Sequence, residues 1–207
     1  MTSNKRDDEQ ELDHDIEEAL SHIEELKLSG SHQESIKEAE KLLCDNPNCV
    51  HALEEIADNY VSLDQFDRAE KACERALKLN EKSYTAKYIL GFISSQKQNW
   101  PKAISYLKSS NDLHSNNPEI LRCLGWAMFN NRKRTQGIVI LERALNLDPD
   151  NSLTLCDLGI CYLQTKNFDK SVELLKHAMD IDPDNNRVKE CLNAAKGFKE
   201  RYLKMNK

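Results

Sequence analysis

Glycine and proline are scarce in this chain, six and five of 207 residues, and no two glycines lie close together. A phosphate-cradling loop needs several glycines within a few residues, because the backbone N–H groups must approach the anion, so a nucleotide-binding loop is excluded. No Gly-x-Ser-x-Gly or His-Glu-x-x-His string occurs, which removes the usual anchors of a serine hydrolase or a zinc protease. No run approaches the ~18 consecutive apolar residues that a membrane span needs. Residues 1–15 are acidic and polar rather than charged and then apolar, so no export signal is read there and the protein is expected to be cytoplasmic and away from membranes. Stretches of alternating apolar and polar residues are missing too, which argues against strands.

The seven cysteines are an odd number and most fall inside helical segments, as expected of free thiols serving as small hydrophobes rather than a disulfide framework. Cys156 and Cys161 lie five apart on one helix and point in different directions. Cys44 and Cys49 span a turn with His51 just beyond. Neither pair has the two-residue knuckle spacing of structural zinc, so no metal and no cofactor is expected. Carboxylates are abundant, but on solvated helices they are surface charges, and no catalytic residue is assigned. His22 falls on a core-facing slot and reads as a polar residue tolerated near a chain end.

Charge is unevenly distributed. Residues 1–62 hold 5 Lys/Arg against 17 Asp/Glu, net −12, and residues 63–207 hold 24 against 18, net +6, which sum to the overall −6. Such a dipolar chain steers its partners. Arg132, Lys133 and Arg134 form a short basic cluster, but nucleic-acid binding requires an extended basic face and a positive chain, so no nucleic-acid partner is expected.

What the chain does have is Ala, Leu, Glu and Lys in nearly every segment, hence helix propensity throughout, and self-similarity. "RALNLDPDN" at 143–151 returns as "HAMDIDPDN" at 177–185, 34 residues later. Stepping back by 34 from Pro183 gives Pro149, Ser115, Glu81 and Pro47 with no insertion, which divides the chain into units 16–49, 50–83, 84–117, 118–151 and 152–185. In the last unit Leu155, Leu158, Gly159 and Tyr162 share one face of a first helix, Phe168 closes a turn, and Ser171, Leu175 and Ala178 follow on a second helix. Unit four carries Leu121, Leu124, Gly125, Met128, Gly137, Leu141 and Ala144. Unit two carries Leu53, Ile56, Ala57, Tyr60, Phe66, Ala69, Cys73 and Ala76. Small residues at Gly125, Gly159, Ala69, Ala103 and Gly137 would let paired helices approach closely.

These residues and their spacing resemble the tetratricopeptide repeat family. Unit three departs from its pattern at Lys87, Ser94, Ser110 and Ser115, and unit one keeps mainly Gly30, Ala39, Leu42 and Pro47. The resemblance implies an all-α fold, a right-handed superhelical solenoid of antiparallel helix hairpins. Residues 186–207 carry Val188, Leu192, Ala195, Phe198 and Tyr202 at helical spacing and read as a capping helix. Residues 1–15 have too little apolar content to bury and are expected to be disordered or at most loosely helical.

In the proteins this sequence resembles, first helices line a concave groove. Projected onto this chain, an apolar partner-binding surface is expected from Tyr88, Phe92, Arg122, Trp126, Phe129, Leu153, Cys156, Ile160 and Leu163 in units three to five, and an acidic end from Glu17, Glu24, Glu54 and Asp58 in units one and two. A family variant clamps the carboxylate tail of heat-shock chaperones with Lys, Asn and Arg. Here the matching slots hold Leu20, Glu24, Glu55, Thr85 and Ile89, so that clamp is lacking. The function expected is a non-catalytic scaffold or adaptor that binds an apolar peptide or helix of another protein, one with a basic end. The alternative is a dedicated chaperone for a hydrophobic client segment, resembling those of secretion systems, and an enzyme or nucleic-acid binder ranks below both.

Overall fold

A computed structural model describes the backbone of residues 3–205 and the side chains of residues 14–205. Among these residues there are eleven α-helices and no strand. The all-α class is as expected. The chain forms two compact units, Met1–Ile93 and Ser94–Lys207. The first contains α1 (Ser3–Leu28), α2 (His32–Asp45), α3 (Val50–Ser62), α4 (Phe66–Leu79) and most of α5 (Tyr84–Gln96). The second contains the end of α5, then α6 (Trp100–Leu113), α7 (Pro118–Asn130), α8 (Arg134–Leu147), α9 (Ser152–Gln164), α10 (Phe168–Ile181) and α11 (Asn186–Met205). α1 begins at Ser3; residues 1–2 and the side chains before residue 14 lie outside the described residues.

Helix starts repeat with the sequence period: Val50, Tyr84, Pro118, Ser152 and Asn186 are each 34 apart, as are His32, Phe66, Trp100, Arg134 and Phe168. Local chemistry sets these limits. Asn117 and Asn151 accept hydrogen bonds from backbone N–H groups in the first turns of α7 and α9, and the Asn185 side chain accepts one from Val188 at 3.2 Å, supplying partners for donors that a helix start leaves unpaired. Each hairpin turn places one residue in the left-handed region, at Gly30, Asp64, Gln98, Arg132 and Lys166, again 34 apart. The next residue's N–H closes a six-residue loop onto the end of the preceding helix, as in Ser31 to Leu26 and Lys133 to Met128. Only Gly30 adopts this conformation without crowding a Cβ.

Within hairpins the crossing point is set by side-chain size. Gly125 of α7 and Gly137 of α8 meet so closely that a Cβ on Gly137 would stand 2.6 Å from both the Gly125 carbonyl oxygen and the Phe129 nitrogen. Leu141 lies over Gly125, and Leu175 of α10 over Gly159 of α9; a Cβ on Gly159 would lie 2.7 Å from Leu175 Cγ. In the first unit the corresponding buried pairs are Ile23 with Ala39 and Ala57 with Cys73. At the α7/α8 and α9/α10 crossings a large residue on one helix thus faces a small one on the other. The neighbouring slot takes a hydroxyl where it is free: Ser35 donates to the Ile23 carbonyl and Ser171 to the Gly159 carbonyl, both at 2.8 Å across the pair. Asn59, fully buried, donates to Ser35 at 2.9 Å and meets His32 Nδ1 at 2.9 Å, so these polar atoms in the first unit's core are paired.

Two expectations are corrected. His22 is 58% exposed rather than core-facing, beside Glu25; Ile23 takes the core position. α11 covers its neighbours α9 and α10 with Val188, Leu192 and Ala195, whereas Phe198 and Tyr202 stay about half exposed, because the helix runs past the apolar surface that it caps. Tyr202 still reaches the Phe168 ring at 5.3 Å.

Gly137→Ala should destabilise the protein by ~2 kcal/mol, even though alanine favours a helix by ~1 kcal/mol, because the new methyl meets backbone rather than a movable side chain. Gly197→Ala should instead stabilise it by ~0.5–1 kcal/mol, since that site is open save for the Arg201 guanidinium 3.9 Å away. Urea unfolding midpoints of the two variants check both signs.

Candidate partner-binding surface

In the first unit the expected acidic face is partly consumed by structure. Lys27 of α1 reaches α3 and pairs with Glu55 at 2.8 Å and Asp58 at 3.2 Å. Burial works to lower the Lys27 pKa, but the hydrogen bond to Glu55 and the Asp58 charge outweigh it and hold the ammonium above its ordinary value. Glu54 is a correction: it is buried at 7% exposure, accepts from the Ser83 hydroxyl at 2.5 Å and meets His51 Nδ1 at 3.2 Å. Ser83 also caps α5 by accepting from the Ala86 N–H, so Glu54 orients the cap. Of the four carboxylates expected at the acidic end, Glu17 and Glu24 remain exposed. Tyr88 and Phe92, on α5, are half-buried.

In the second unit two expected surface residues belong to the core. Phe129 is 2% exposed and packs with Leu141, Leu158 and Cys161; its Cβ lies against the space that Gly137 leaves empty. Cys156 is 3% exposed, within the cluster formed by Leu175, Val188 and Leu192. Burial pushes the Cys156 and Cys73 thiols up to about 12, so neither is a thiolate at neutral pH. Trp126, Ile160 and Leu163 are half-buried, and Leu153 is 50% exposed.

Arg122 sits among them on α7. Its guanidinium donates to Glu119 at 2.5 and 2.9 Å and, across to α9, to Asp157 at 2.7 Å; Arg187 of α11 approaches the other Asp157 oxygen at 3.7 Å. Burial opposes the Arg122 charge, but the hydrogen bond to Glu119 and the surrounding negative groups outweigh it and raise its pKa. Asp157, which fixes Arg122 from the following first helix, and Arg187, which approaches Asp157 from α11, were not among the expected site residues. The signal for them was the near-repeat spacing of 35 between Arg122 and Asp157, readable only once the helices are known to be adjacent. Among the described residues no group of three or more His, Cys, Asp or Glu side chains is arranged to hold a metal ion, and no helix is long and apolar enough to cross a membrane.

A family model described as the tetratricopeptide repeat protein 21 C-terminal ARM domain matches residues 48–154, just over half of the chain, and a second, tetratricopeptide repeat, matches residues 131–194. The chain belongs to the tetratricopeptide repeat family. No curated protein sequence matches it. Solved structures share the fold at low identity. TTC0263, a thermophilic tetratricopeptide repeat protein of Thermus thermophilus, is 17% identical, with a TM-score of 0.71 over 86% of this chain and 97% of its own. YrrB, a tetratricopeptide repeat protein with an unusual peptide-binding site, is 20% identical, with a TM-score of 0.60 over 83% of this chain and 89% of its own. The Cut9–Hcn1 hetero-tetramer of the APC/C gives 21% identity and a TM-score of 0.81 over 87% of this chain, which spans 36% of the matched one. In this tetratricopeptide repeat protein the fold is that of a protein-interaction scaffold.

Arg122→Met should destabilise the fold by ~3 kcal/mol, because it leaves Asp157 buried with only the distant Arg187 as counter-charge, and adding Asp157→Leu should recover most of the loss. Chemical denaturation of the single and double variants measures this directly.

Proposed function

We propose that this chain is a non-catalytic cytoplasmic adaptor or assembly scaffold that holds an apolar peptide or helix of another protein. The observation that carries the reading is the first-helix face of the second unit. The packing slots of α7 and α9 are filled by Leu121, Leu124, Leu155 and Leu158, all buried, yet Trp126, Ile160 and Leu163 keep part of their surface in solvent and Leu153 half of it. Partly exposed apolar side chains beside a rigidly held cation are the usual make-up of an interface anchor. Because Asp157 and Glu119 fix the Arg122 guanidinium, it would meet a partner without losing side-chain freedom on binding. YrrB's peptide-binding site supports the same use of this fold. Glu17 and Glu24 would favour a partner that carries basic residues, and the same carboxylates disfavour the acidic tails of heat-shock chaperones.

Affinity capture with the intact chain, followed by mass spectrometry, should recover folded partners. Trp126→Ala combined with Ile160→Ala should weaken capture at least ~30-fold while lowering the melting temperature by less than about 4 °C. Unchanged capture would place the binding surface elsewhere. A collapse in melting temperature would assign these side chains to the core, and recovery of a single aggregation-prone client would favour the chaperone reading.

A further inference from the structure

Two surfaces lie outside the first-helix face and are chemically complementary. In the first unit, α1 and α2 enclose a cleft of about 350 Å³ with Ile16, Ala19 and Leu42 as its apolar floor and Asp15, Glu38 and Asp45 on its rim. Among the described residues that line it the one cation, Lys41, is already next to Glu38 at 3.4 Å. The cleft is of the size at which pockets begin to hold ligand groups, ~300 Å³, and its rim favours a positively charged occupant.

In the second unit, the last turns of α11 present Phe198, Tyr202 and Leu203 about half exposed and Met205 85% exposed. These are large apolar side chains on a helix that carries six Lys or Arg against two Glu, net +4. Lys199 is held by Asp169 at 2.6 Å and Arg201 lies over the Phe198 ring at 4.9 Å, so Arg201 and Lys204 flank the apolar tip. A basic helix end with exposed apolar side chains matches an apolar cleft with an acidic rim in both charge and hydrophobicity.

We propose that the α1/α2 cleft receives the C-terminal turns of α11 from a second copy of this chain. Phe198 and Met205 enter the apolar floor, and Arg201 and Lys204 meet Asp15, Glu38 and Asp45. The contact joins different surfaces of the two copies, so it is head-to-tail and adds further copies unless a ring closes. The charge imbalance of the sequence, net −12 over residues 1–62 and net +6 over residues 63–207, agrees with such a contact, since oppositely charged surfaces of two copies attract.

Sedimentation velocity of the intact chain over a wide concentration range should show a mass that rises with concentration and falls as salt is added, since exposed charges are screened beyond ~10 Å at 0.1 M salt. Two reversed variants, Glu38→Lys with Asp45→Lys and Arg201→Glu with Lys204→Glu, should each associate at least about tenfold more weakly. Mixing the two should restore association, because the reversed tip fits the reversed cleft and the unaltered cleft still fits the unaltered tip. Phe198→Ser with Met205→Ser should weaken association while leaving the salt dependence of what remains unchanged, because the charged groups are intact. A monomer at every concentration would overturn the proposal. So would association that ignores both salt and the reversals, or a mixture that behaves as the sum of its parts. If a variant loses its helical signal, the wild-type salt and concentration series still decides.

Discussion

The close crossing of the two helices in each hairpin is the constraint on which the rest depends. Where α7 meets α8, two glycines bring backbone against backbone, and Leu141 covers the space that a Cβ on Gly125 would take. Where α9 meets α10, Leu175 does the same over Gly159. The first unit reaches a comparable filling by other means, with Ile23 beside Ala39 and Ala57 beside Cys73, all fully buried. The division of volume between the two helices thus differs from one crossing to the next, and at each crossing the residues are buried. That distance in turn fixes the angle at which the next first helix can be added, and therefore which side chains of successive first helices meet.

The Arg122–Asp157 pair shows the consequence. It can form at 2.7 Å only if α7 and α9 lie side by side in one register, and Asn117 and Asn151 set that register by capping the two helices at equivalent residues 34 apart. A pair this buried contributes little net stability against an apolar substitute. It restricts the register instead, since a slip by one residue would leave a charge unpaired in the interior. In the recognition surface proposed above, the same register would hold the partly buried Trp126, Ile160 and Leu163 at defined positions on α7 and α9.

Much of the fold was legible because the period is long and exact. The 34-residue phase predicted the repeat and its small residues, and composition with the family resemblance predicted the all-α class. The surface was less legible, for a physical reason. A first helix packs against its own second helix and also against neighbouring first helices, so its apolar arc is wider than a single 3.6-residue stripe. Phe129 and Cys156 lie on that second arc: Gly137 makes room for one, and Val188 and Leu192 of α11 cover the other. Glu54 misled for the opposite reason. A carboxylate is ordinarily exposed, but the Ser83 hydroxyl, 29 residues away, satisfies it in the interior. Charge partners distant in sequence, such as Lys27 with Asp58 or Arg122 with Asp157, cannot be read from composition along one helix.

The most direct measurement is a double-mutant cycle at the α9/α10 crossing. Gly159→Ala places a methyl 2.7 Å from Leu175 Cγ, and its nearest neighbours are all Leu175 side-chain atoms, so the conflict belongs to one pair. Leu175→Cys with Gly159→Ala recreates the Ala57 and Cys73 combination of the first unit. If size complementarity at the crossing governs the hairpin, each single change destabilises and the double variant is more stable than their sum predicts, with a coupling of at least ~1 kcal/mol. Additive losses would contradict it, showing that the helices are held at their spacing by something other than the side chains that meet there.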